Sequence, residues 1–255
     1  MRSSQSHVDA RHKARLGAFL ARNPFGNPLT LGFFYREKMR AIHRIAPDEP
    51  FRRVLDVGGG QGGLAALLYP SAEIVNLDMD ASYASSPTNR QERVRFVCGD
   101  ATALPFDDGG FDAVVMFDLR EHVPDDRAAA QEGLRVLRPG GVLMASSPNE
   151  NWRFPYYSPL RPLVPSEEQM FAEWGHVRRG YSGPELRGLV GLEEEISATF
   201  INPVTVIGHD FAHSRLSRVA RRGICVALSP LTWLGYAAHG RNTKGTETAM
   251  RWRKP

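Results

Sequence analysis

Cysteine is scarce in this sequence of 255 residues, which contains Cys98 and Cys225 and no other. Neither thiol belongs to a C-x-x-C pair or to a His/Cys cluster with the spacing of a zinc site. The scarcity therefore argues against a disulfide framework and against a metal site. It predicts two reduced thiols, as expected of a cytoplasmic protein.

Long apolar runs are also missing. No stretch of about 18 apolar residues occurs, so a membrane-spanning helix is not expected. Residues 1–7 contain no apolar segment of the kind found in secretory signal peptides. The net charge of +4 is small and indicates solubility rather than a nucleic-acid partner. We expect a cytoplasmic location and no bound nucleic acid.

Acidic residues are absent from 211–245, where basic residues accompany an apolar stretch: Arg215, Arg218, Arg221, Arg222, Arg241 and Lys244. The apolar part, Ile224 to Ala238, is interrupted by Pro230 and is too short to span a bilayer. Such a segment, at 212–240, fits either a peripheral contact with the inner face of a membrane or a cap that packs on the sheet or on a second subunit. Whether the chain is a monomer or a homodimer stays open.

The most informative stretch runs from Val54 to Gly63 and reads V-L-D-V-G-G-G-Q-G-G. A short buried strand at 53–57 leads into a glycine-rich turn, and residues 64–68 form the predicted helix behind it. Strand, glycine turn and helix are the first unit of a nucleotide-binding α/β sheet. Glycines in the turn permit positive φ and let a ligand touch the backbone.

Asp56 decides between the ligands that such a turn binds. The glycines match both the dinucleotide pattern G-x-G-x-x-G and the pattern G-x-G-x-G that is common in methyltransferases. A dinucleotide would place its anionic pyrophosphate on the turn, where Asp56 would repel it. S-adenosylmethionine (SAM) has no phosphate, and its ammonium group suits a carboxylate. The alternative role for Asp56 is to cap backbone N–H groups of the turn.

Strands and helices alternate between residues 53 and 146, which predicts a parallel, doubly wound sheet. The first five strands are expected at Arg53–Val57, Glu73–Leu77, Val94–Cys98, Phe111–Phe117 and Val142–Ser146, with a sharp stop at 138–141 before the fifth. Two more strands, Glu194–Phe200 and Thr246–Trp252, complete a Rossmann-like, seven-stranded α/β sheet. The sheet is mostly parallel, and its last strand is antiparallel.

The predicted organisation has four parts. Residues 1–50 form an N-terminal helical lid, with helices at Val8–Arg22 and Leu31–Ile45. Residues 51–200 form the cofactor-binding core, which includes an aromatic and proline-rich insertion at about 150–182. Residues 201–245 form the basic and apolar insertion, and residues 246–255 hold the last strand and the tail.

Four motifs, in this order, resemble the class I SAM-dependent methyltransferases of the type 11 branch. They are L-D-V-G-G-G-Q-G-G at 55–63, C-G-D-A-T-A-L-P-F at 98–106, E-H-V-P-D at 121–125 and L-R-V-L-R-P-G-G at 134–141. The resemblance covers about residues 50–200. It implies an enzyme that transfers the methyl group of SAM and releases S-adenosylhomocysteine.

The resemblance also implies which residues bind the cofactor. Asp56 and the glycines would hold the methionine part, Asp78 the ribose, and Asp100 with Ala101 the adenine. Asp78 also stands about 20 positions after the first glycine, where the topology alone places an acidic partner for ribose hydroxyls. The full set of cofactor candidates is Asp56, Gly58, Gly60, Gly62, Asp78, Met79, Asp100, Ala101 and Phe117.

The acceptor is expected to be a small molecule bound by the aromatic insertion, because this proline-braced loop follows the fifth strand at the ligand edge of the sheet. The substrate candidates are Tyr35, Arg120, Trp152, Tyr156, Tyr157, Arg178 and Tyr181. Arg120 stands where the family usually has an aliphatic residue, so it is expected either to bind an acidic acceptor or to face solvent. The alternative for the insertion is a structural loop whose aromatic side chains cover the core.

The pattern W-G-H-V-R-R-G-Y-S at 174–182 resembles methyltransferases of glycan and lipid biosynthesis. It therefore favours O-methylation in glycan, lipid or secondary-metabolite biosynthesis.

His122 and His176 are the catalytic candidates. The sulfonium is an activated leaving group, so transfer is one in-line displacement that needs alignment and exclusion of water. An oxygen nucleophile also needs a base, and a neutral imidazole suits that role near pH 7. For either histidine, the alternative role is to fix the loop by hydrogen bonds.

The rival functions on this fold are a non-methylating cyclase and a SAM-binding protein without activity. A nucleic-acid methyltransferase is disfavoured, because D-L-R-E at 118–121 is not the Asn/Asp-Pro-Pro-aromatic motif of amino methylation and no Pro-Cys nucleophile occurs. A nicotinamide oxidoreductase is disfavoured by Asp56.

Overall fold

A computed structural model describes residues 12–255 and shows a seven-stranded sheet with helices on both faces. The strands are β1 (Arg53–Val57), β2 (Glu73–Asp78), β3 (Val94–Cys98), β4 (Phe111–Phe117), β5 (Leu137–Pro148), β6 (Ile196–Phe200) and β7 (Glu247–Arg253). Their order across the sheet is β3-β2-β1-β4-β5-β7-β6, and among these strands β7 alone runs antiparallel to its neighbours. The predicted doubly wound, Rossmann-like α/β fold is therefore confirmed.

The helices of the described residues are α1 (Leu16–Ala21), α2 (Leu31–Ile45), α3 (Leu64–Leu68), α4 (Asp126–Val136), α5 (Glu167–Trp174), α6 (Gly183–Val190), α7 (Val206–Ala212) and α8 (Arg218–Ala238). Short 3-10 helices occur at Ala81–Ser85, Arg120–His122 and Ser158–Leu163. The predicted first helix, Val8–Arg22, begins outside the described residues, and its described part is shorter than expected.

The strands divide the core into two layers because successive side chains of a strand point to opposite faces. On β1, Val54 packs into the layer that contains α2, α3 and Tyr236 of α8, whereas Leu55 packs into the layer that contains α4 and α6. The sheet is thus covered on both sides, as a parallel sheet requires.

Helix α2 is part of this core. Met39, Ile42 and Ile45 recur at helical spacing and are fully buried. The guanidinium of Arg251 on β7 donates a hydrogen bond to the Ile45 carbonyl oxygen, with a length of 2.8 Å. The carboxyl-terminal half of α2 is therefore fixed to the sheet, and Phe33 and Phe34 in its other half are buried as well.

Strand β5 begins earlier than predicted. The motif R-P-G-G ends α4 at Val136, as expected, but the chain enters the strand at Leu137. Leu137 pairs with Phe111 and Val142 pairs with Ala113, so the register shifts between these pairs and accommodates the extra residues as a bulge.

Helix α8 is continuous through Pro230, which the sequence analysis expected to interrupt it. A proline in a helix leaves the carbonyl four residues earlier without its N–H donor. Here the hydroxyl of Ser229 donates to that carbonyl, the oxygen of Val226, at 2.7 Å. The local hydrogen bond explains why the helix does not break. No helix in the described part of the chain is both long enough and apolar enough to cross a bilayer.

The segment after β5 builds a small apolar cluster of its own from Trp152, Phe154, Val164 and Met170. Its far end returns to the sheet, where the Tyr181 N–H donates to the Pro148 carbonyl oxygen at 3.2 Å. Both ends of the segment are therefore held at the carboxyl edge of the sheet, next to β4 and β5.

The burial of α2 makes a testable prediction about stability. Replacing Ile42 with alanine should lower the free energy of unfolding by about 2–5 kcal/mol, because it removes fully buried methyl groups and leaves a cavity. The matched control, Arg44→Ala, changes an exposed residue of the same helix and should stay within about 0.5 kcal/mol of wild type. Urea unfolding followed by circular dichroism measures both values. Equal effects would show that α2 does not belong to the core.

Candidate functional site

The glycine-rich turn after β1 has the conformation that the sequence predicts. Gly58, Gly60 and Gly62 have φ values of 72°, 56° and 70°, which side chains with a Cβ rarely adopt. A Cβ on Gly62 would also lie 2.4 Å from Oδ1 of Asn89. The turn therefore requires glycine both for its backbone and for its packing.

Two asparagines hold the turn by hydrogen bonds, and neither was predicted from the sequence. The side-chain amides of Asn76 on β2 and of Asn89 each donate to the Gly60 carbonyl oxygen at 3.0 Å. They also bind each other at 2.7 Å. Both side chains are buried, so this amide pair fixes the position of the turn relative to the sheet.

A cavity of about 700 Å³ lies above the turn, and we call it the cofactor cavity. The turn and β4 supply Asp56, Gly58, Gly62, Phe117 and Asp118 to its lining, α2 supplies Tyr35 and Lys38, and the loop before α2 supplies Arg22, Pro24 and Phe25. The N-terminal helices thus cover the ligand edge of the sheet. The predicted substrate candidate Tyr35 lies in this cavity, on the cofactor side.

Asp56 is a buried carboxylate at the end of β1 and reaches the cofactor cavity. Burial, with a smaller contribution from Asp78, raises its pKa to about 7 against the opposing effects of the Ala65 N–H and Lys38. A cationic group bound in the cavity would favour the charged form of Asp56. The carboxylate is therefore placed for an ammonium ligand and disfavours a phosphate.

The predicted ribose and adenine residues lie at the ends of β2 and β3. Asp78 accepts a hydrogen bond from the Gly60 N–H at 2.9 Å and another from the Asp80 N–H at 3.0 Å. Asp100 accepts one from the Thr102 N–H at 2.8 Å, so the loop after β3 fixes its carboxylate. Asp78, the last residue of β2, thus links this strand to the glycine turn that follows β1.

Two neighbours of these aspartates differ in exposure. Met79 is 75% exposed, and Ala101 is buried. None of the four predicted ribose and adenine residues lines the cofactor cavity, which encloses the glycine turn instead.

A second cavity of about 340 Å³ lies at the same edge of the sheet, and we call it the acceptor cavity. Its lining consists of Asp118, Glu121, His122, Pro148, Trp152, Trp174, His176, His209 and Glu247. The predicted candidates His122, His176 and Trp152 are therefore brought together. Asp118 lines both cavities, so the two meet at the end of β4.

Lys38 and Asp118 form a partly buried ion pair at this junction. Ser146 on β5 donates a hydrogen bond to the other oxygen of the same carboxylate. Burial alone would raise the pKa of Asp118, but the Lys38 cation and these hydrogen bonds hold it below the usual value. Asp118 has a φ of 49°, an uncommon conformation for a residue with a side chain. The contacts to α2 and β5 hold it there.

The imidazoles of His122 and His176 lie edge to face, with ring centroids 4.8 Å apart. Nδ1 of His122 lies 3.2 Å from the Gly175 carbonyl oxygen, which can only accept, so Nδ1 carries the proton and Nε2 is free. Burial, with His122 as a further contribution, lowers the pKa of His176 to about 4. His176 is therefore neutral at pH 7.

Two carboxylates of the acceptor cavity were not identified from the sequence. Burial and the nearby Asp118 raise the pKa of Glu121 to about 8 and raise that of Glu247 well above the usual value. Glu121 belongs to the motif E-H-V-P-D, although no role was predicted for it, whereas Glu247 reaches the cavity from β7, near the other end of the chain.

Three predicted substrate residues lie outside the acceptor cavity and require correction. Arg120 neither faces solvent nor lines this cavity: it is 1% exposed and stacks on the rings of Tyr181 and Trp252. Arg178 pairs with Asp126 and donates to the Val123 carbonyl oxygen at 2.9 Å. The hydroxyl of Tyr181 donates to Asp126 at 2.7 Å. These side chains brace the loop after β4.

Tyr156 and Tyr157 also lie outside the acceptor cavity. The N–H of Tyr156 donates to the buried carboxylate of Asp210 at 2.8 Å. The hydroxyl of Tyr157 donates to the Pro203 carbonyl oxygen at 2.5 Å. Both residues connect the aromatic segment to the segment that contains α7. At these two positions the insertion at 150–182 therefore has the structural role that was the alternative to substrate binding.

Comparison with known proteins agrees with this architecture. Residues 55–145 match the family model described as a methyltransferase domain. A 2-methyl-6-phytyl-1,4-hydroquinone methyltransferase of Synechocystis sp. is 27% identical over 232 residues, which are 85% of this chain and 69% of that protein. A demethylmenaquinone methyltransferase of Renibacterium salmoninarum is 37% identical over 152 residues, which are 58% of this chain and 60% of that protein.

Among solved structures, the [4+2]-cyclase SpnF shares the fold, with a TM-score of 0.58 and 19% identity over 94% of this chain and 92% of that one.

Residues 55–145 therefore form a methyltransferase domain of the class I, SAM-dependent type, and S-adenosylmethionine is its cofactor. The residues of the cofactor cavity fit this ligand. Asp56 is placed for the ammonium, and the glycines give the turn a surface without side chains, which leaves room for the ligand. With SAM bound, its sulfonium supplies the activated methyl group.

The raised pKa of Asp56 predicts pH-dependent SAM affinity. Below about pH 7 free Asp56 is protonated, so binding the ammonium requires loss of a proton, and affinity should rise about tenfold from pH 5.5 to 7. Titration calorimetry in buffers of different ionisation enthalpy measures the affinity and the proton release. Asp56→Asn should weaken binding and abolish its pH dependence. The control, Asp107→Asn, changes an exposed turn carboxylate and should retain both. Wild-type affinity that is constant over this range would contradict the assignment.

Proposed function

We propose that this protein transfers the methyl group of SAM to a small aromatic acceptor that carries a hydroxyl group. The observation that carries the proposal is the junction at Asp118, where the cofactor cavity and the acceptor cavity meet. A methyl group at the end of β4 would face the acceptor across this junction. The main-chain strain at Asp118 supports a functional role for the position.

The walls of the acceptor cavity support an aromatic acceptor. Trp152 and Trp174 have ring centroids 6.2 Å apart, in an edge-to-face arrangement, and His176 lies beside both. Aromatic walls favour a planar, apolar ligand, and imidazoles and carboxylates supply partners for its hydroxyl groups. Two relatives are named for a hydroquinone and for demethylmenaquinone, which agrees with this class.

The reaction is an in-line displacement. The acceptor oxygen or ring carbon forms a bond to the methyl carbon, the methyl–sulfur bond breaks, and S-adenosylhomocysteine leaves. The proton of the acceptor passes to an imidazole of the cavity, which His122, His176 and His209 line. Trp152 and Trp174 orient the ring and exclude water.

A non-methylating cyclase is the second candidate, because SpnF shares the fold. The discriminating experiment incubates the protein with hydroquinones and methyl-labelled SAM, and follows S-adenosylhomocysteine and labelled products by mass spectrometry. A labelled acceptor with an equal amount of S-adenosylhomocysteine supports methyl transfer and identifies the attacked atom. SAM binding without either product favours the cyclase or an inactive SAM-binding protein.

The position of His176 predicts a split between turnover and cofactor affinity. His176→Ala should lower kcat about 10²–10⁴-fold, because it removes a group that acts on the acceptor, and the Kd for SAM should stay within about twofold. The control, Tyr181→Phe, removes only a hydrogen bond to Asp126 and should lower stability by about 1 kcal/mol while kcat stays near wild type. Parallel losses of turnover and SAM affinity in His176→Ala would contradict the acceptor role.

We also propose that α8 lies on an anionic membrane surface. Its exposed face contains Val219, Val226, Leu231 and Leu234, which are between 47% and 82% exposed. Basic residues flank this face and no acidic residue occurs on the helix. This charge pattern complements anionic lipid headgroups, and the exposed apolar side chains could enter the interface of a bilayer.

The same helix lies close to the acceptor cavity. Cys225 of α8 contacts the Gly208 carbonyl oxygen of α7, and α7 supplies His209 to the cavity. An acceptor with a long hydrocarbon tail would then reach the cavity from the lipid side.

Vesicle binding tests this surface. Wild type should bind vesicles of phosphatidylglycerol and phosphatidylcholine in sedimentation assays, and bind vesicles of phosphatidylcholine alone weakly. Leu234→Glu should weaken binding at least about tenfold, because burying a leucine contributes about 1.5–3 kcal/mol. The control, Leu16→Glu, changes an exposed apolar residue on α1 and should bind as wild type does. A lipid-free dimer that Leu234→Glu dissociates would replace this proposal with a subunit interface.

A further inference from the structure

Three metal-ligating side chains converge in the acceptor cavity. Glu121, His122 and His176 each offer one possible ligand atom, and these atoms all lie within 4.8 Å of one another. The prediction of no metal site considered the spacing of cysteine and histidine along the chain. The fold brings the three residues together from the loop after β4 and from the segment after α5.

Two of the three residues hold buried polar atoms that lack a partner. Oε2 of Glu121 and Nδ1 of His176 make no hydrogen bond, although both atoms are shielded from solvent. Glu121 is 1% exposed and lines the cavity. A buried polar atom without a partner costs about 1–3 kcal/mol, so its presence requires an explanation. A ligand in the cavity would supply the missing interaction.

The third residue is already oriented as metal-bound histidines are. Nδ1 of His122 donates to the Gly175 carbonyl oxygen, which leaves the lone pair of Nε2 free. A histidine that ligates a metal ion usually donates its other N–H to a carbonyl or a carboxylate, which fixes the ring and the tautomer. The backbone at Gly175 therefore preorganises one ligand.

We propose that Glu121, His122 and His176 bind one divalent first-row transition-metal ion, for which Zn²⁺ is the suitable occupant. Two imidazoles and one carboxylate are a donor set of catalytic zinc sites, which leave a further coordination position open. The ion would lie in the acceptor cavity, and the open position would take an oxygen atom of the acceptor.

The distances and charges around the site agree with a cation. Donor atoms on one zinc ion are about 3–4 Å apart, so displacements of these side chains on the order of 1 Å would bring the three donor atoms to ligand distance. Asp118 and Glu247 also line the cavity, while Lys38 is occupied by its ion pair with Asp118. The described residues that line this cavity include no lysine or arginine that would repel a bound cation.

The inference does not rest on methyl transfer, because metal binding is a property of the protein without cofactor or acceptor. If the ion is present during the reaction, His122 and His176 are its ligands. His209 is then the imidazole of the cavity that remains free to receive the acceptor proton.

Metal binding is measured directly on the purified full chain, without an affinity tag that contains histidine. Equilibrium dialysis against Zn²⁺ with elemental analysis should give one equivalent per chain. Titration with Co²⁺ should produce visible ligand-field absorption. Glu121→Gln and His176→Ala should each weaken Zn²⁺ affinity at least tenfold. Circular dichroism and SAM binding verify that the variants are folded.

Two controls separate the site from other histidines and carboxylates. Glu247→Gln removes a carboxylate of the same cavity that is not a ligand, and His12→Ala removes a histidine remote from the cavity. Both should retain one equivalent of Zn²⁺ with affinity within about threefold of wild type. Absence of stoichiometric binding, or equal binding by wild type and the Glu121→Gln and His176→Ala variants, would overturn the metal site. SAM binding and methyl transfer are measured separately, so these outcomes leave the proposed function unaffected.

Discussion

The ion pair between Lys38 and Asp118 is the constraint on which the arrangement of the site depends. One partner belongs to a helix before the sheet, and the other ends the central strand β4. The pair lies where the two cavities meet and is partly buried, so breaking it would leave a half-buried charge without its partner. Because Ser146 also binds Asp118, the pair fixes α2, β4 and β5 relative to one another. The position of the acceptor relative to the cofactor follows from this contact.

The chain therefore separates two tasks. The glycine turn, with its buried amide pair of Asn76 and Asn89, provides a preformed backbone surface for the cofactor. The segment after β5 provides aromatic walls and the imidazole of His176 for the acceptor, while its Arg178 and Tyr181 bind Asp126 and connect it to α4. Stability and chemistry are assigned to different side chains of the same short segment. This division explains why several polar residues near the site do not face a ligand.

The sheet could be predicted almost completely from the sequence, because its strands are short apolar runs between turn residues, and β1, β3 and β4 begin and end where expected. The glycine turn and Asp56 carry a local signature, so the cofactor site was also predictable. The acceptor site was predictable only in part. His122, His176 and Trp152 were identified, but Arg120 and Tyr181 differ from expectation because the direction of a loop side chain depends on distant partners such as Trp252. Glu247 and Lys38 reach the site from opposite ends of the chain, and no local pattern marks such a meeting.

The loop of residues 22–30 has a consequence for the order of events in one turnover. Phe25 packs edge to face on Tyr35, with ring centroids 5.2 Å apart, and this loop lines the cofactor cavity together with Pro24 and Arg22. Helix α2 behind it is anchored in the core, so the loop is the part of this cover that can open without disrupting the fold. SAM in this cavity would lie beside the loop, whereas the acceptor cavity is lined by other segments of the chain and by Asp118. Release of the nucleoside product would then depend on the position of this loop, as product release depends on lids in many enzymes.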